Sequence, residues 1–160
     1  MKKSLKYVLL PPQALAESQA TLVRFARQEG ERRITQHAIA WLARLTPKML
    51  SKQETSVALA MNGKHVVGLF AVSRCGLGHS FLVVDKRYRH RGIGKALTEH
   101  ICQCLPKLYV RVGLDNEASL SFFRTLGFEP VKASIGPASK PTLWLAYGHW
   151  TLTDLQEHAG

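Results

Sequence analysis

Arg89, Arg91, Gly92, Gly94 and Lys95 are the residues best suited to chemistry, because glycines set among cations at a strand-to-helix junction can hold an anion. They lie in the stretch 81–97, FLVVDKRYRHRGIGKAL, where Lys86 and Arg87 add further charge. The apolar run 81–84 predicts a short buried strand, and the residues from Ile93 onward predict a helix. The first N–H groups of a helix have no internal partners, and with the helix dipole they favour a negative ligand. Gly92 and Gly94 lack Cβ atoms, so a ligand can approach the main chain closely. A phosphate-bearing ligand is therefore expected. The other glycine motifs fit worse: a dinucleotide fingerprint needs glycine at Leu97, and a P-loop needs G-x-x-x-x-G-K-[ST].

The elements around this turn predict one domain over residues 1–160. A first strand over 6–10 ends at Pro11-Pro12, a helix follows over 14–28 with Gly30 as its stop, and a second helix spans 34–45, closed by Pro47. Asn62-Gly63 between apolar runs predicts a hairpin with a type I′ turn. After the glycine turn come a helix over 93–105, a strand over 108–112, a helix over 117–126 capped by Asp115-Asn116, and strands from Phe128 and Thr142. Residues 134–141, SIGPASKP, read as a flexible connection. Mixed strands and helices in this order argue for an α/β or α+β sheet covered by helices.

Bulk properties exclude several classes. No apolar run approaches the roughly 18 residues of a membrane span, and the N-terminal apolar stretch is too short for a signal-peptide core. The three cysteines are odd in number and lack zinc-type spacing, so free thiols in a cytoplasmic protein are expected, with no metal. The net charge of +11 suits anionic metabolites, acidic proteins or nucleic acid without choosing among them.

The motif and the element order together resemble the GNAT superfamily of acyl-CoA N-acyltransferases. Arg89-His90-Arg91-Gly92-Ile93-Gly94 matches the family's R/Q-x-x-G-x-G/A signature, and Asn116 to Phe128, NEASLSFFRTLGF, resembles its second block. The resemblance implies a mixed, mostly antiparallel sheet flanked by about four helices. A V-shaped splay would open between two parallel strands, here 81–84 and 108–112. Acetyl-CoA would lie in the splay, its pantetheine against the main chain of Leu82, Val83 and Val84. Its pyrophosphate would rest on the N–H groups from Arg91 to Lys95, with Arg89 and His90 beside it and with Asn116, Ser119 and Phe123 along the cofactor arm. The Val84 N–H would face the thioester carbonyl.

The catalytic side chains match less well. The family's frequent tyrosine acid falls on Phe123, which cannot donate a proton, so Ser119, one turn earlier, is the candidate acid. The usual carboxylate base falls near Gly78, which leaves the neighbouring His79 as candidate base, ahead of Glu54, Tyr109 and Tyr147. The expected activity is acetyl transfer from acetyl-CoA to a primary amine of a small molecule or protein. Two alternatives stand beside it: an acetyl-CoA-binding regulatory module with little turnover, and a nucleic-acid-linked acceptor such as aminoacyl-tRNA. The resemblance also admits a homodimer.

Overall fold

In a computed structural model, residues 5–30, 34–136 and 139–157 are described. Strand β1 (Lys6–Leu9) leads into helix α1 (Leu15–Glu29), α2 (Gln36–Arg44) and the single turn α3 (Pro47–Leu50). The hairpin β2 (Ser56–Asn62) and β3 (His65–Ser73) follows, then β4 (His79–Val84), α4 (Ile93–Cys104), β5 (Lys107–Gly113) and α5 (Glu117–Thr125). Strands β6 (Glu129–Ile135) and β7 (Pro141–Gly148) and helix α6 (Leu152–Glu157) complete the chain. The strands form two sheets, β1-β2-β3-β4 and β5-β7-β6, and every ladder among the described residues is antiparallel. The mixed α/β architecture is therefore as expected, with six α-helices among the described residues against the expected four or so.

Strand β3 lies between two cores, which explains why its sequence is apolar without alternation. Leu69 and Ala71 face α1 and α2 together with Leu22, Leu42, Phe81 and Val83. Phe70 and Val72 face the other way, onto Leu97 and Ile101 of α4 and onto Leu108 and Leu145. Gly68 lets α4 come close: a Cβ there would stand 2.8 Å from Ile93 Cγ2 and 3.0 Å from Leu97 Cδ1. Because Gly68 pairs with Val84, this contact fixes the start of α4 beside the end of β4.

Some sequence expectations need correction. Pro47 opens a helix instead of only closing one, because Thr46 Oγ1 accepts from the Met49 N–H at 3.2 Å and Pro tolerates the first helical position. The hairpin turn is Gly63-Lys64, since Asn62 already pairs with His65; of these residues only Gly63 has positive φ, +61°, so type I′ does not form. Ser134, Ile135 and Pro141 belong to strands, which shortens the supposed flexible connection; its residues 137–138 lie outside those described. Helix α6 had no sequence expectation. Among the described residues no helix is long and apolar enough to cross a membrane.

Candidate active site

Strand β4 ends one sheet and β5 ends the other, and no ladder joins them although they are spatial neighbours. The chain passes from β4 to β5 through α4, a crossover of the kind that parallel neighbours require. The Asp85 N–H donates to the Val67 carbonyl at 2.9 Å. With Leu69 opposite Val83 and Gly68 opposite Val84, antiparallel alternation commits the Val83 peptide groups to β3. The peptide groups of Leu82 and Val84 then point away from β3, into the gap before β5. The expected trio along β4 thus divides, with Leu82 and Val84 facing the gap.

The gap is closed at one end. The turn Arg74–Gly76, with φ of 51°, 57° and 98°, sets Gly76 so near β5 that an added Cβ would lie 1.8 Å from the Tyr109 carbonyl oxygen. Tyr109 is fully buried, and its hydroxyl donates to Asp154 Oδ2 and accepts from the Thr151 N–H at 3.0 Å. Burial, and then the bond to Asp154, push its pKa up to about 12, which removes it as a base. At the other end the chain leaves β4 through Asp85. Its Oδ1 accepts from the Arg87 N–H at 2.9 Å and its Oδ2 from the Arg87 guanidinium at 3.0 Å. The side-chain bond from Arg87 outweighs burial and holds the Asp85 carboxyl below the usual range.

Beyond Asp85 the glycine turn reaches α4. Gly92 is the N-cap with φ +80°, and nothing lies within 4 Å of a Cβ built there. The space over this helix start is open. Gly94 is walled instead: its Cβ would meet Phe122 Cζ at 3.2 Å and Leu82 Cδ2 at 3.6 Å. Ile93 points into the α4 core, so only its main chain serves the turn, while Arg89, His90, Arg91 and Lys95 are exposed. Arg89 Nε donates to the Val84 carbonyl at 3.4 Å, tying the signature arginine back to the strand end. Arg91 lies over the Tyr88 ring, 5.2 Å from its centroid.

Residues 53–130, which contain this strand, turn and both flanking helices, match the family model of the acetyltransferase (GNAT) domain. That matched stretch, just under half of the chain, is similar to GNAT acetyltransferase domains. The chain is 29% identical over 100 residues to the [ribosomal protein bS18]-alanine N-acetyltransferase of Escherichia coli K12; the match covers 58% of this chain and 66% of that relative. The fold resembles that of a GNAT-family acetyltransferase from Streptococcus pneumoniae, with a TM-score of 0.67 at 19% identity over 90% of this chain and 98% of the other. It also resembles the ribosomal-protein-S18-alanine N-acetyltransferase structure from Escherichia coli, with a TM-score of 0.59 at 13% identity over 89% and 92% of the two chains.

The second motif block lies beside the gap but serves partly as structure. Asn116 caps α5, its Oδ1 accepting from the Ser119 N–H at 3.3 Å. Phe123 is buried edge-on between Phe122 and Phe128, with centroids 5.0 and 5.2 Å away. Its half-buried neighbour Phe122 is the aromatic that meets the glycine turn. Sequence reading passed over Phe122, although its place one residue before Phe123, on the next helical face, was a usable signal.

His79 opens β4 on the face of Phe81 and Val83, and its ring stacks on Trp41 at 4.9 Å. Burial lowers its pKa, and the electrostatic influence of His37 and Arg44 lowers it further, which favours the neutral ring. Of the weaker base candidates, Tyr147 lies against Phe128 at 5.3 Å, and Glu54 is exposed.

Proposed function

We propose that this domain transfers an acetyl group from acetyl-CoA to a primary amine by direct transfer within a ternary complex. One observation carries the reading: β4 peptide groups left out of any sheet ladder line a gap that leads to an open, glycine-capped helix start. Pantetheine amides would pair with Leu82 and Val84, and the pyrophosphate would take the N–H groups from Arg91 to Lys95. Arg89 and Arg91 would supply positive charge there.

In the reaction, the amine nitrogen attacks the thioester carbonyl, the C–S bond breaks, and CoA leaves as a thiolate that must gain a proton. A cleft-facing N–H would stabilise the oxyanion. Leu82 is three residues from His79, about 10 Å along a strand, and Val84 five, about 17 Å. If His79 is the base, Leu82 is the nearer donor, with a short water path carrying the amine's proton to the imidazole. Ser119, half-buried on α5, is the proposed proton source for the thiolate.

Release of CoA from acetyl-CoA in the presence of an amine panel tests the reading. The panel should hold polyamines, amino acids, aminoacyl-tRNA and peptides beginning with alanine, the last on the strength of the similarity to the bS18-alanine enzyme. Acetyl-CoA binding without turnover on any amine would favour the regulatory alternative, which the apolar enclosure of Phe123 independently supports.

A further inference from the structure

We propose that Asn62, at the tip of the β2–β3 hairpin, is a positioning residue for the donor's phosphates, because it fixes the Tyr88 ring on which Arg91 rests. The proposal rests on the acetyl-CoA reading above. Asn62 is not needed by its own turn: it is paired with His65, and Gly63 supplies the positive φ. A register shift between Ala60 and Met61 re-aims the end of β2. The Asn62 amide then donates from Nδ2 to Tyr88 Oη at 2.7 Å, across 26 residues of sequence.

Tyr88 is held on two sides. It packs against the α4 core, and its hydroxyl takes the Asn62 bond, so the ring is a fixed platform. The Arg91 guanidinium sits over that platform at 5.2 Å, immediately before Gly92 and its open helix start. A free surface arginine loses rotamer entropy when an anion immobilises it. Stacking on a fixed ring meets part of that cost before the ligand arrives. An amide that never touches the ligand thereby sets the readiness of a cation that does.

Two donors separate this role from a general structural one. Acetyl-CoA carries the pyrophosphate; acetyl-pantetheine keeps the thioester and pantetheine but lacks it. Asn62→Ala and Tyr88→Phe should each weaken acetyl-CoA binding, measured by calorimetry, about two- to tenfold. Both should leave turnover of acetyl-pantetheine at the unmodified protein's level. In an Arg91→Ala background, Asn62→Ala should add no further loss. Tyr88→Phe retains the ring, so it reads the hydrogen bond even if Asn62→Ala disturbs the hairpin. Unchanged acetyl-CoA affinity, equal loss with both donors, or full additivity with Arg91→Ala would each overturn the proposal. Failure of the unmodified protein to bind acetyl-CoA would instead remove the donor reading, and this inference with it.

Discussion

His79 stacks on Trp41 with ring planes 22° from parallel, while the same indole meets Phe81 edge-on at 6.1 Å. The imidazole is thus held at the head of β4 by helix α2, and that helix also contributes His37 and Arg44 to its electrostatic surroundings. Burial first, and then the electrostatic influence of His37 and Arg44, disfavour the imidazolium. As a base, His79 acts deprotonated, so activity should be full above its lowered pKa and fall as pH drops through it. The acid limb of kcat/KM should therefore lie below the ordinary histidine value of about 6.5. His79→Ala should remove that limb and cost about 10²- to 10⁴-fold in rate. Arg44→Ala should move the limb upward. An unmoved limb in His79→Ala would assign the base elsewhere.

The two signature glycines should respond differently to a methyl group. Gly92→Ala meets no atom but must hold φ at +80°, a strain of about 1 kcal/mol with little change in donor access. Gly94→Ala would press on Phe122 at 3.2 Å, the wall of the site. Gly92→Glu adds bulk and negative charge at the open helix start, and acetyl-CoA affinity should fall below detection by calorimetry. Retained affinity would place the phosphates elsewhere.

Ser119→Ala should lower kcat with little change in donor KM if its hydroxyl protonates the thiolate. Phe123→Tyr separates two possibilities for the missing tyrosine. Within the Phe122 and Phe128 cluster, an added hydroxyl would lower stability by about 1–3 kcal/mol without raising kcat. A rise in kcat would show that the side chain can reach the sulfur after all. Thermal unfolding and steady-state kinetics on the same samples distinguish the outcomes.

Tyr109→Phe should destabilise the domain by about 1–3 kcal/mol, because Asp154 and the Thr151 N–H both lose a buried partner. Burial alone would raise the Asp154 pKa, but bonds from Lys107, at 2.7 Å, and Tyr109 hold it below the ordinary value. The stability that this network gives is present above the unfolded carboxylate pKa, near 3.9, and is lost as pH falls through the lowered native value. Urea unfolding of Tyr109→Phe against the unmodified protein, at pH 7 and well below the unfolded carboxylate pKa of about 3.9, checks both size and sign.

The proposed donor side of the site was legible in the sequence because it is built from backbone. Gly92, Gly94 and the apolar run before them are local signals, and the structure supplies the strand, turn and helix that they predict. The division of labour along β4 was not legible: which of Leu82, Val83 and Val84 faces the gap depends on the register with β3, set by residues such as Val67 far away in sequence. The aromatic neighbours were missed for the same reason. Phe122 and Phe123 differ by 100° around α5, and only the packing of that helix decides which one meets Gly94. Asn62 gave a strong but misleading turn signal, since the bulge before it moved the turn onward by one residue.

The closed end of the gap has a consequence for how the chain acquires its shape. All of the first sheet's ladders lie within residues 6–84, and all of the second's within 107–148. Neither half borrows a strand from the other, so each can order from its own sequence before the two meet through α4 and the contact of Gly76 with Tyr109. Such locality shortens the loops that must close early in folding. Pulse-labelled hydrogen exchange during refolding should show protection within each sheet before protection of α4, and a bulky residue at Gly76 should slow only the final docking step.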